Sequence, residues 1–145
     1  MKKIRLILCT LVILLVITGC SMSKAAIYKV STGDTIKIEV ETTNGYKLSS
    51  TLPFEIKKDD VLQTSGEFIT IDGYNEYLQL ANSDTSTILD RGNTNGMEYT
   101  FYSYNSQEFN YIIKVTDKTG ILLKNTVSKE SAEECFNRFN VSIEE

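Results

Sequence analysis

Residues 98–143 read EYTFYSYNSQEFNYIIKVTDKTGILLKNTVSKESAEECFNRFNVSI, and this stretch decides the fold class. Glu98–Tyr104 and Phe109–Thr116 are rich in aromatic and β-branched side chains, which suit a pleated, half-buried surface. Asn105-Ser106-Gln107-Glu108 between them is polar, so the two runs predict an antiparallel hairpin. Asp117-Lys118-Thr119-Gly120 turns the chain again into Ile121–Val127, and the three strands form a meander. Then the period changes. Ala132, Cys135, Phe136 and Phe139 recur at i, i+3, i+4 and i+7, which is one apolar stripe of a helix. Ser128 opens that helix, while Ser131 and Glu134 have capping-box spacing and offer a start three residues later. Val141 and Ile143 supply a last edge strand. The expected class is α+β, an antiparallel sheet with the C-terminal helix, and a short middle helix, packed on one face.

Pairing the hairpin as spaced puts Tyr99 and Phe101 on a core face with Phe109, Tyr111, Ile113 and Val115. Tyr102 and Tyr104 then point the other way, near Ile112. Either a helix covers that pair, or it forms an amphipathic patch of the kind enriched at interfaces. Tyr102 and Tyr104 are therefore the candidate ligand- or partner-binding residues.

Farther upstream, Tyr74, Tyr77, Leu78 and Ala81 follow helical spacing, with Asp72 or Gly73 near a cap. Tyr and Leu also suit a strand, so residues 74–82 stay open between the two. Phe68–Ile71 predicts a short strand and Asn82–Thr87 a loop. In Asp34–Thr43, Ile36, Ile38 and Val40 alternate with Lys37, Glu39 and Glu41, as a half-buried strand requires. Asn44-Gly45 then predicts a two-residue hairpin turn into Tyr46–Ser49, and Leu52–Ile56 another extended piece. Asp90–Gly96 superficially suggests a calcium loop. Taking Gly96 as the sixth position puts Arg91 first and Tyr102 twelfth, where calcium needs carboxylates, so the segment reads as a polar turn.

The order EYTFYSY, FNYIIKVT, ILLKNTV, SKESAEECFNRF, NVSI resembles the C-terminal half of PsbP-like domains, over roughly residues 98–143. The resemblance implies a PsbP-like αβ sandwich. It carries no activity and no functional residue.

The start of the chain reads as an address. Lys2, Lys3 and Arg5 precede Leu6–Ile17, an apolar run broken only by Thr10. That run is short of the roughly 20 residues that cross a bilayer, and it fits a secretory leader core of about 7–15. Ile17-Thr18-Gly19-Cys20 follows and resembles the lipobox of bacterial lipoproteins. The resemblance implies cleavage between Gly19 and Cys20 and a diacylglyceryl group on the Cys20 thiol. Two acyl chains anchor stably where one holds only weakly. The expected organisation is a leader over 1–19, a short membrane-proximal tether over 20–26 and a single domain over 27–145.

Removing the leader takes three positive charges and no acidic one, so the net charge passes from −4 to −7. Such a domain is expected to be held off an anionic surface, and nucleic acid is not an expected partner. Cys135 is the one thiol left over and falls on the helix stripe, where burial is expected. With no histidine, the chain has no Ser-His-Asp or Cys-His arrangement and no histidine zinc site. Asp59-Asp60 and Glu133-Glu134 are neighbours in sequence and point apart on a strand or helix, which suits solvated faces rather than a catalytic dyad. The expectation is a non-catalytic binding or accessory lipoprotein on the extracytoplasmic face of the cell membrane, without metal or cofactor. Its partner is an envelope protein or peptide. The alternative is an immunity-type lipoprotein that sequesters a membrane-active cationic peptide.

Overall fold

The structure, a computed structural model, describes residues 22–145. The leader, Gly19 and Cys20 lie outside the described residues. In chain order the elements are β1 (Ser23–Lys29), β2 (Thr35–Glu41), β3 (Tyr46–Ser49), β4 (Phe54–Lys58) and β5 (Val61–Thr70). They continue with α1 (Ile71–Ala81), β6 (Ser86–Thr94), β7 (Met97–Tyr104), β8 (Glu108–Lys114), β9 (Thr119–Asn125), α2 (Lys129–Arg138) and β10 (Phe139–Ile143). The class is α+β, and the described strand pairs are antiparallel.

Two sheets form. The larger has the order β3-β4-β5-β9-β8-β7-β6, the smaller β1-β2-β10. Residues of the larger sheet alternate between two cores, as strand geometry demands. Phe101, Tyr111, Ile113, Ile121 and Leu123 pack with Ile36, Ile38 and Val40 of the small sheet and with Ala132 and Cys135 of α2. Tyr102, Ile112 and Leu122 face the opposite way and pack under Tyr74 and Ala81 of α1. The two helices therefore lie on opposite faces of the large sheet, not on one face as expected. The cause is chain order: α1 follows β5 directly and turns back over one side, while α2 follows β9 and leads into β10 of the small sheet.

The hairpin of the opening stretch is present, with Phe101 opposite Tyr111 and Tyr99 opposite Ile113. Residues 74–82 resolve mostly as helix. The cap of α1 is Thr70 rather than Asp72 or Gly73: its hydroxyl accepts from Gly73 N at 3.2 Å. The Ser128 hydroxyl accepts from Ser131 N at 3.0 Å, fixing the start of α2. Ser131 Oγ instead donates to Gln63 Oε1 at 2.8 Å, which ties α2 to β5.

Three further expectations change. Asn44-Gly45 does turn, with φ of 58° and 83°, but β2 and β3 belong to different sheets, so the turn carries the chain between layers rather than closing a hairpin. Ser86–Thr94 is an edge strand with a bulge at Leu89, where loop and polar turn were expected. Residues 23–26, expected to belong to the tether, are strand: β1 begins at Ser23 and pairs there with Glu41.

Candidate functional site

The tyrosine pair is settled by α1. Tyr102 is 0% exposed, and Tyr104 is half-buried against the same cluster. Tyr102 is thus a core residue and does not form the exposed patch considered for it, because α1 packs over that side of β7. Burial pushes its phenol up to about 12. Asn110 faces it across the strand pair and opposes that rise weakly, yet no properly directed bond joins the two. The Tyr102 hydroxyl, Asn110 Oδ1 and Ser86 Oγ are all buried without a hydrogen-bond partner. Periodicity alone gave no sign of these unpartnered groups, which lie on three different strands.

A second constellation centres on Arg138 in the last turn of α2. Its guanidinium stacks 4.0 Å from the Tyr46 ring centroid. Nη1 donates to Thr43 O at 3.2 Å and to Thr43 Oγ1 at 3.0 Å, and the group pairs with Glu134 at 3.3 Å and Glu41 at 3.7 Å. Arg138 binds the end of α2 to the segment linking the two sheets. Beside it lies an open hollow of about 440 Å³ lined by Glu41, Glu130, Glu133, Glu134, Asn137 and Arg138. Its acidic character is partly offset: Glu133 lies 3.7 Å from Lys129, and Glu41 and Glu134 hold Arg138. Of the adjacent pairs noted in the sequence, Glu133-Glu134 lines this hollow, and Asp59-Asp60 forms the β4–β5 turn with φ of 50° and 64°. The hollow escaped the sequence reading because Glu41 and Tyr46 lie some ninety residues from Arg138 and only the fold joins them.

At the far end, Asp34 joins the two sheets. Thr116 Oγ1 and Thr119 Oγ1 donate to its carboxylate at 2.6 and 2.7 Å, and the Thr32 and Thr119 hydroxyls lie 2.5 Å apart. The Thr116 and Thr119 hydroxyls hold the Asp34 carboxyl below the usual carboxylate range. Cys135 is free and 0% exposed, as its place on the helix stripe predicts. Burial pushes its thiol up, away from the reactive thiolate.

The end where the described chain begins has a different surface. Met22, Lys24, Thr42, Gly45, Tyr46, Lys47 and Leu48 line a shallow hollow there. Asp59 N donates to Gly45 O at 3.0 Å, which brings the β4–β5 turn and the start of β5 to the same end. Among the described residues no group of three or more His, Cys, Asp or Glu side chains is placed to hold a metal ion. No family model, no curated protein and no solved structure matches the chain.

Proposed function

We propose that the chain is a lipid-anchored accessory domain on the extracytoplasmic face of a bacterial cell membrane, acting by binding an envelope partner. The observation that carries this reading is Ile17-Thr18-Gly19-Cys20 placed directly behind a basic, then apolar, leader. Two features support it. Among the described residues no helix is long and apolar enough to cross a membrane. Among the described residues the first strand begins at Ser23, so a lipid on Cys20 leaves the domain close against the bilayer. Metabolic labelling with an alkyne fatty acid tests the anchor. Label is expected on the wild-type chain and absent from Cys20→Ala; an unlabelled wild-type chain overturns it.

The finer fold reading is a PsbP-like αβ sandwich, supported by the order β7-β8-β9-α2-β10. An experimentally determined backbone in which α2 left the large sheet would remove it.

One observation favours a second reading, capture of a membrane-active cationic peptide: the hollow that gathers Glu41, Glu130, Glu133 and Glu134. A Lys-rich amphipathic peptide is then expected to bind in titration calorimetry, more weakly at high salt and to Glu130→Gln/Glu133→Gln. Binding that ignores both changes would discard this reading.

A further inference from the structure

We propose that the end of the domain carrying Met22, Val61, Leu62 and Val127 docks on the outer leaflet of the bilayer that holds the chain. This inference rests on the anchor reading. Its basis is the position of these side chains together with the reach of the chain.

The four apolar residues are 64%, 61%, 45% and 53% exposed. They belong to one end. Met22 lies against Gly45 and Lys47 in the hollow described above, and Asp59 bonds to Gly45 two residues before Val61. Val127 is two residues past Asn125, whose partner Thr64 is two past Leu62. The other exposed large apolar side chains of the described residues, Ile27, Leu52 and Ile143, lie elsewhere: Leu52 lines a hollow with Val30 and Ser31, and Ile143 lines one with Thr116 and Asp117 at the opposite end.

From Cys20 to Ser23 is three residue steps, at most about 11 Å fully extended. A polar headgroup layer is about 5–8 Å thick, taking half the difference between total bilayer and hydrocarbon thickness. A lipid on Cys20 therefore brings the start of β1 into or against the headgroups, whatever the orientation of the rest. Exposed Met, Val and Leu side chains at that place remove apolar surface from water on contact.

Charge does not drive the contact. Lys47 pairs with Asp60 at 2.8 Å and Lys57 with Glu55 at 2.9 Å, while Lys24 Nζ donates to Leu48 O at 3.0 Å. The repulsion expected from the net charge of −7 is screened beyond about 8 Å at physiological ionic strength. Docking on zwitterionic lipid is therefore expected to be indifferent to salt.

The chain has no tryptophan, so a single introduced one reports alone. Val61→Trp, Val127→Trp and, at the far end, Asp117→Trp are purified from membranes as full lipidated protein. Each is reconstituted in phosphatidylcholine vesicles with and without brominated acyl chains. The expected result is quenched, blue-shifted emission for Val61→Trp and Val127→Trp, equal at 0.15 and 0.5 M salt, with Asp117→Trp unquenched. If the Cys20 lipid is present by mass and all three variants are quenched alike or not at all, docking is wrong and the anchor stands. If the mass shows no lipid, both fall. Val127→Trp keeps the test intact should Val61→Trp fail to fold.

Discussion

The two faces of the large sheet are made by the same strands and differ in kind. Toward the small sheet and α2, eighteen side chains of the described residues form one buried apolar cluster; toward α1 there are five. The first face is stitched by ring contacts, with Phe101, Tyr111 and Phe136 stacked at 4.1 and 3.9 Å. The second has the unpartnered Tyr102 hydroxyl, Asn110 Oδ1 and Ser86 Oγ. An orphaned buried polar atom costs about 1–3 kcal/mol; three lie toward α1 and one, Arg138 Nε, at the end of α2, so the α1 face is the less optimised of the two. The first face supplies most of the hydrophobic free energy, and the second tolerates imperfection because of it. Interior side chains on both faces serve packing.

The comparison breaks most readily at Phe54, which is fully buried and contacts the rings of Tyr28, Phe68 and Phe139. Phe54→Ala is expected to cost about 3–5 kcal/mol in a denaturant titration. Leu122→Ala, on the other face, is expected to cost about 2–3 kcal/mol, because α1 can settle into the space. Equal losses at the two sites would erase the distinction.

Asp34 tests the joint between the sheets. Its folded carboxyl is held below the unfolded value of about 3.9, so the stability it adds is present above that value and is lost as pH falls through the folded one. Thermal midpoints are expected to fall from about pH 4 downward, and Asp34→Asn to flatten that acid limb. An unchanged limb in the variant would assign the loss to other carboxylates. The smallest effect belongs to Tyr102→Phe. Deleting a hydroxyl that has no partner is expected to leave stability unchanged or raise it by up to about 1 kcal/mol. A loss above that size would mean the hydroxyl is satisfied.

Much of the fold was legible where local chemistry and burial agree. The β7–β8 hairpin, the Ser128 cap, the stripe of α2 and β10 all follow from alternation, helical period and capping. β6 was not legible, because as an edge strand with a bulge at Leu89 and polar Asp90, Arg91 and Asn93 it lacks a simple alternation. Asn44-Gly45 specified its turn but not which strands it would separate, since that depends on contacts far along the chain. The same limit hid α1 over Tyr102 and the joining of Arg138 to Glu41 and Tyr46. The basic leader and the Cys20 box, by contrast, are read entirely in sequence.

That box carries the functional account, and the intact mass of the N-terminal peptide from membrane-extracted protein tests it most directly. The account requires residues 1–19 to be absent and Cys20 to carry a diacylglyceryl adduct. An N-terminus at or beyond Cys20 without that adduct would contradict it: the domain would be freely secreted, Cys20 would be an ordinary residue or lost, and the membrane-facing end would have no lipid to hold it there.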